Sequence, residues 1–251
     1  MSEIAILMAA GMGTRMRPIT ENTPKPLVKV LGKPMIETVI EGLIERGVNS
    51  FYVVTGYLGD QFGYLADKYS GLVLVRNSEF ETINNISSIK AVSDVLISTE
   101  ADVFICEADL YVSDKSIFLT ALNHSCYFGK MVKGHSSDWV FEQDEAGRIT
   151  RVGKGGDDCF NMVGISWFTK EDAHKLGREI VSAYGIPGYE NKFWDDVVNE
   201  NLDELDLVVH PVTEGQLVEI DTVEELAEID MRYKRVICKM KKDYSLKRMK
   251  R

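Results

Sequence analysis

Ile4-Ala5-Ile6-Leu7-Met8-Ala9-Ala10-Gly11-Met12-Gly13-Thr14-Arg15-Met16-Arg17-Pro18 is an apolar run that opens into a loop of small residues, with Thr23-Pro24-Lys25-Pro26 shortly behind it. A short continuous apolar run that stops at glycines reads as a buried strand. The loop after it exposes backbone N–H groups of the kind that cradle phosphate. Arg15 in the loop and Lys25 further along bring positive charge to the same place. The combination points to a nucleoside triphosphate.

Working outward, the N-terminal half alternates strand and helix. Met35, Ile36, Val39, Ile40, Leu43 and Ile44 recur at helical spacing after Pro34, and Gly47 supplies the stop. Phe51 to Val54 reads as a buried strand, Gly59 to Tyr69 as a helix and Leu72 to Val75 as a strand. Ile86 to Ile97 has a helical pattern, and Val103 to Cys106 is the next buried strand. This rhythm predicts right-handed crossovers and a mostly parallel sheet. After Asp109 it changes: Trp139 to Glu142, Arg148 to Val152 and Val163 to Phe168 read as antiparallel strands. A helix from Lys170 to about Tyr184, a short one including Phe193 to Asn199, and strands Leu205 to His210 and Leu217 to Ile220 follow. Thr222 and Glu225 form the capping-box pattern of a last helix. With no repeat or linker, residues 1–231 are expected to be one domain and 232–251 a basic C-terminal helix or tail.

Composition bounds the function. With 251 residues, 45% hydrophobic and 27% charged, the chain can bury a substantial core and no run spans a bilayer. Met1-Ser2-Glu3 lacks a basic signal-peptide start. Cys106, Cys126, Cys159 and Cys238 form no Cys-x-x-Cys pair, so neither a disulfide framework nor a zinc site is expected, and the cytoplasm is the expected location. Cys106 and Cys238 read as small buried hydrophobes. From Arg232 to Arg251 there are ten Lys/Arg against one acid, leaving 19 bases against 38 acids elsewhere. An acidic body argues against nucleic acid as a partner. For the tail, a solvated helix end is preferred over contact with an anionic membrane.

Three loop chemistries compete at Gly11. The dinucleotide pattern Gly-x-Gly-x-x-Gly fails because Met16 stands in its third place. The Gly-Lys-Ser/Thr sequence of P-loops is absent. The third option fits in full: Gly11-x-Gly13-x-Arg15-x-x-Pro18-x-Thr20, then Pro24-Lys25-Pro26 and Lys33-Pro34. This pattern resembles the nucleotidyltransferases that activate sugar phosphates and related phosphomonoesters. The resemblance implies a Rossmann-like three-layer α/β sandwich, with a mixed, mainly parallel sheet and a small antiparallel acceptor-binding insertion. It implies Arg15 and Lys25 as the catalytic cations, and Leu7, Ala9, Ala10, Gly11, Met12, Gly13, Thr14, Gly56, Tyr57 and Asn84 as nucleotide-binding residues. Arg15 and Lys25 suit the neutralisation of a pyrophosphate leaving group, and the backbone of Gly11 to Thr14 its phosphate oxygens.

Nucleotidyl transfer calls for a divalent cation. Glu107-Ala108-Asp109 ends a strand at the carboxyl edge of the expected sheet, and Glu219-Ile220-Asp221 ends a late one. The resemblance implies Asp109 and Asp221 as ligands of Mg2+. Leu110 stands where family members often have Asn, and Glu107 where Asp is more common.

Within the family the chain looks closest to bacterial CTP:phosphocholine cytidylyltransferases. That likeness rests on Gly56-Tyr57-Leu58-Gly59-Asp60-Gln61-Phe62, Asn84-Asn85, Phe193-Trp194-Asp195 and Glu219-Ile220-Asp221. A quaternary ammonium donates no hydrogen bonds and is recognised by aromatic faces and a nearby carboxylate. Trp139, Tyr189, Phe193, Trp194 and Asp195 are the acceptor-binding candidates, with Phe193 replacing the family's usual Tyr. The scattered His124, His135, His174 and His210 form no nucleophile arrangement, so no covalent intermediate is expected. The expected reaction is in-line transfer of CMP from CTP to phosphocholine, giving CDP-choline and pyrophosphate. The alternatives are a sugar 1-phosphate with dTTP or UTP, an aminoalkyl phosphonate with CTP, or a catalytically inert nucleotide-binding subunit. A homodimer is compatible with the sequence.

Overall fold

The apolar run that opens the chain becomes β1 (Glu3–Ala9), in the interior of the main sheet with Ala5, Ile6 and Leu7 fully buried. The computed structural model describes residues 2–249, with side chains through Lys241. Short strands β2 (Lys29–Val30) and β3 (Lys33–Pro34) lead into α1 (Met35–Arg46), β4 (Phe51–Thr55), α2 (Gly63–Lys68) and β5 (Leu72–Arg76). Then come α3 (Ile86–Lys90), α4 (Ser93–Ser98), β6 (Asp102–Glu107) and β7 (Leu110–Val112). The second half holds β8 (Cys126–Gln143), β9 (Ile149–Phe168), α5 (Lys170–Ala183), α6 (Trp194–Glu200) and β10 (Val208–Pro211). It closes with β11 (Leu217–Glu219), α7 (Val223–Ile229) and α8 (Lys234–Met249).

The main sheet has seven strands in the order β10-β8-β9-β6-β1-β4-β5. β1 pairs in parallel with β4 and β6, β4 with β5, and β8 with β10, whereas β9 runs antiparallel to both β6 and β8. Alternation along the strands sends Ala5, Leu7, Phe104 and Cys106 to one face, packed with Ile36, Val39, Ile40 and Leu43 of α1. Ile6, Val103 and Ile105 go to the other, against Ile86, Leu96, Leu176 and Val197 of α3 to α6. The result is the expected three-layer α/β sandwich. A smaller cluster of Met16, Val28, Val30, Met35, Ile220 and Leu226 ties the glycine loop to α7.

Several boundaries differ from the sequence reading. The segment Ile86 to Ile97 is two helices, because the chain leaves helical geometry at Val92 (φ −117°, ψ 13°). The three expected antiparallel strands belong to two long ones, β8 and β9, whose pairing shifts register repeatedly along the ladder. Leu205 and Leu207 are buried in the core ahead of β10 rather than within it. Cys238 is exposed on α8, not a buried hydrophobe, and none of the described α8 side chains, through Lys241, belongs to the three core clusters. Lys250 and Arg251 of the basic tail lie outside the described residues. Among the described residues no helix is long and apolar enough to cross a membrane.

Candidate active site

Parallel pairing sets Met8 of β1 beside Glu107 of β6, so the glycine loop and the Glu107-Ala108-Asp109 segment leave the sheet at the same edge. The antiparallel pairing of β11 with β7 places Glu219 opposite Leu110 and carries Asp221 to the same edge. The capping box of α7 forms as the sequence implies: the Thr222 hydroxyl accepts from Glu225 N–H. Glu225 Oε2 accepts from the N–H groups of both Thr222 and Asp221, at 2.8 Å each. A helix cap thereby also fixes the backbone of Asp221.

Between these segments lies a cavity of about 310 Å³, lined by Ala9 to Gly11, Gly13 to Arg15, Lys25, Glu107, Asp109 and Asp221, with Asn85 and Ser88 of the α3 region opposite. Lys25 Nζ donates to Asp109 Oδ2 and to Asp221 Oδ1, both at 2.6 Å. Arg15 donates to the same Asp221 oxygen at 2.7 Å. Burial disfavours the Lys25 charge, but the two aspartates outweigh it and hold its pKa above the ordinary lysine range.

The loop has a demanding backbone. Gly13 adopts φ +58°, and a Cβ there would stand 2.8 Å from Lys25 Cβ. Thr20 Oγ1 donates to Gly13 O at 2.8 Å, and the Tyr57 hydroxyl donates to Thr20 O at 2.9 Å. Tyr57 N–H also donates to Ala10 O, while a Cβ on Gly56 would come within 2.7 Å of that oxygen. Gly56 and Tyr57 thus support the loop from behind instead of lining the cavity. At Gly11 a Cβ would meet no protein atom within 4 Å, so the room there faces the cavity.

Of the other expected nucleotide contacts, Leu7 is fully buried in the core and Met12 is exposed outside the cavity lining. Asn84 Nδ2 donates to Asn191 O and Asn84 N–H to Glu190 O, so it holds the turn before α6. Its neighbour Asn85 lines the cavity and accepts from Trp194 N–H through Oδ1 at 3.0 Å. Ser88, three residues on along the helix, shares the cavity-facing side.

Carboxylate oxygens of Glu107, Asp109 and Glu219 lie within 4.8 Å of one another. Loss of hydration, with Asp109 and Glu219 nearby, pushes the Glu107 carboxyl well above the ordinary range, although the residue as a whole is only half-buried. Among the described residues no side chain donates a hydrogen bond to Glu107 or Glu219. Asp109 Oδ1 is buried without a hydrogen-bond partner. The orphaned Asp109 oxygen is the donor that a divalent cation such as Mg2+ would satisfy, with Asp221 brought beside Asp109 by the same lysine.

The five acceptor candidates are divided. Trp194 is 3% exposed, and its ring stacks on Tyr127 at 5.7 Å between centroids. Asp195 is buried and accepts from the Tyr127 hydroxyl at 3.0 Å. Burial pushes the Asp195 carboxyl up to about 7, with the Tyr127 hydroxyl opposing the shift. Tyr189 packs against Tyr184, with ring centroids 4.6 Å apart. Trp139 and Phe193 alone form a half-buried edge-to-face pair, 5.2 Å between centroids. Over that pair sits Lys154, which sequence reading did not single out, with Nζ 5.7 Å from the Trp139 centroid and 5.2 Å from the Phe193 centroid. A small inner hollow bounded by Glu107, Tyr127, Met162 and Trp194 adjoins the main cavity, sharing Met8 and Glu107 with it.

Residues 4–125 match the nucleotidyl transferase family. The chain is 53% identical over 229 residues to the 2-aminoethylphosphonate cytidylyltransferase of Lancefieldella rimae, covering 91% of this chain and 92% of that protein. It is 34% identical over 226 residues to the choline-phosphate cytidylyltransferase of Streptococcus pneumoniae, covering 90% and 96%. The solved structure of the CTP:phosphocholine cytidylyltransferase from Streptococcus pneumoniae superposes with a TM-score of 0.83 at 32% identity, over 92% of this chain and 99% of that one.

Proposed function

We propose, for a chain that belongs to the nucleotidyl transferase family and is a cytidylyltransferase, that the acceptor is 2-aminoethylphosphonate. Phosphocholine, the acceptor first expected from the sequence, becomes the second reading, and the aminoalkyl phosphonate alternative takes its place. The relative at 53% identity acts on that phosphonate, against 34% for the choline-phosphate enzyme. The observation that carries the reading is the pair of carboxylates without side-chain donors, Glu107 and Glu219, beside Asp109. A primary ammonium brings three N–H donors and pairs with such carboxylates, whereas a trimethylammonium brings none. The aromatic groups a quaternary ammonium needs are split up, with Trp194 committed to the core.

In this reading CTP lies with its triphosphate against Gly11 to Thr14 and Arg15, and the base and ribose lie toward Asn85 and Ser88. A phosphonate oxygen attacks the α-phosphorus in line, a P–O bond forms, the α–β bridging P–O bond breaks, and pyrophosphate leaves with the electron pair. The phosphonate dianion is already a nucleophile, so no residue has to remove a proton from it. Lys25 and Arg15 neutralise charge that grows on the leaving group, and the loop N–H groups orient it. Asp109 and Asp221 would hold Mg2+, which when bound neutralises phosphate charge and aligns the reacting oxygens. Incubation with CTP and 2-aminoethylphosphonate, read by mass spectrometry, should yield the mixed anhydride of CMP and the phosphonate together with pyrophosphate. Absence of that product while the phosphocholine product forms would overturn the assignment.

A further inference from the structure

We infer that Lys154 is a specificity-determining residue that disfavours quaternary ammonium acceptors by occupying the faces of Trp139 and Phe193 with its own ammonium. Lys154 stands directly across the β8–β9 ladder from Trp139. The side chain is exposed, yet it lies within cation–π distance of both rings, 5.7 Å and 5.2 Å from their centroids. Among the described residues it has no carboxylate partner within salt-bridge distance, and the two rings are the groups its ammonium lies over. Its backbone is fixed as well: the Arg151 guanidinium donates to Lys154 O at 2.7 Å and to Gly155 O at 3.1 Å, and pairs with Glu142. Neither ring lines the main cavity, but Phe193 is tied to its wall through the next residue, Trp194, whose backbone N–H donates to the cavity-lining Asn85.

A trimethylammonium gains its binding from aromatic faces, so it has to displace Lys154 before it can dock. A primary ammonium that hydrogen-bonds to Glu107 and Glu219 has no need of those faces and leaves Lys154 where it is. The inference rests on the acceptor reading above, and the two are tested separately. Wild-type kcat/KM for 2-aminoethylphosphonate against phosphocholine tests that reading. The change in this ratio on substitution tests Lys154.

Lys154→Met keeps the length and removes the charge. It should raise kcat/KM for phosphocholine about tenfold, about 1.4 kcal/mol, and leave the value for 2-aminoethylphosphonate nearly unchanged. Lys154→Arg, which restores a cation over the rings, should return the wild-type ratio. Choline titrated against Trp fluorescence gives a readout independent of turnover, and it should bind Lys154→Met about tenfold more tightly than wild type. An unchanged acceptor ratio and unchanged choline affinity in Lys154→Met would overturn the inference, whichever acceptor the wild type prefers.

Discussion

Lys25 Nζ lies 2.6 Å from Asp109 Oδ2, joining the glycine-loop segment to the end of β6 across 84 positions of sequence. The lysine side chain is 9% exposed and the aspartate 21%, so the pair is largely withdrawn from water. Asp221 completes the arrangement from a third segment. The lysine is the charge that lets the two carboxylates approach, and in the proposed reaction the same ammonium would meet phosphate.

Lys25→Met removes that charge. Turnover should fall about 10²–10³-fold, as when one preorganised donor to a developing anion is lost. In chelator the variant should also be less stable by about 2 kcal/mol, below the cost for a fully buried pair because the aspartates keep contact with solvent. Mg2+ should raise the melting temperature of Lys25→Met more than that of wild type, since the cation then takes over the neutralisation of Asp109 and Asp221. Thermal melts with EDTA and with Mg2+ check this directly.

Gly11 and Gly13 separate two uses of glycine in one loop. Gly13→Ala combines a positive φ with a Cβ 2.8 Å from Lys25. It should cost about 1–2 kcal/mol and reduce activity by shifting the lysine. Gly11→Ala meets no protein atom within 4 Å, so its melting temperature should match wild type. Its KM for CTP should rise, because the new methyl group occupies space in the cavity. Calorimetric melts together with CTP saturation curves distinguish the two outcomes.

Asp195 gives the fold a pH dependence. Its carboxyl pKa is raised in the folded state to about 7 by burial, above the value near 3.8 that it has when unfolded. Between those values the folded protein holds more protons than the unfolded one, so this group's contribution to stability is full below about pH 4 and is lost as pH rises through 7. Asp195→Asn keeps an acceptor for the Tyr127 hydroxyl and removes the titration. The melting temperature of wild type relative to Asp195→Asn should therefore fall from pH 5 to pH 8. A constant difference across that range would contradict the assignment.

The parts of the site that are legible in the sequence are those carried by contiguous motifs at strand ends. Arg15 and Lys25 belong to one loop pattern, and Asp109 follows an apolar strand that has to finish at the carboxyl edge of the main sheet, whereas Asp221 follows a short strand paired with β7. The capping pattern at Thr222 and Glu225 fixes the start of α7 and, with it, the place of Asp221. The acceptor side is less legible because adjacent residues part company there. Phe193 is the N-cap of α6 and stays half-buried against Trp139, while Trp194, one residue on, turns inward onto Tyr127. Lys154 is harder still to find. Its position depends on the cross-strand pairing with Trp139 within a ladder that shifts register several times, and local sequence carries no trace of that pairing. The acids Glu107 and Glu219 are visible in the sequence beside Asp109 and Asp221, but their convergence on Asp109 comes only from the pairing of β11 with β7.

Acceptor choice is tested most directly by internal competition. CTP and Mg2+ are supplied with equal concentrations of 2-aminoethylphosphonate and phosphocholine, and the initial ratio of the two CMP adducts is read by mass spectrometry. The expected result is an excess of the phosphonate adduct of about tenfold or more, the discrimination that about 1.4 kcal/mol between acceptors produces. An excess of CDP-choline would contradict the assignment of 2-aminoethylphosphonate as the acceptor.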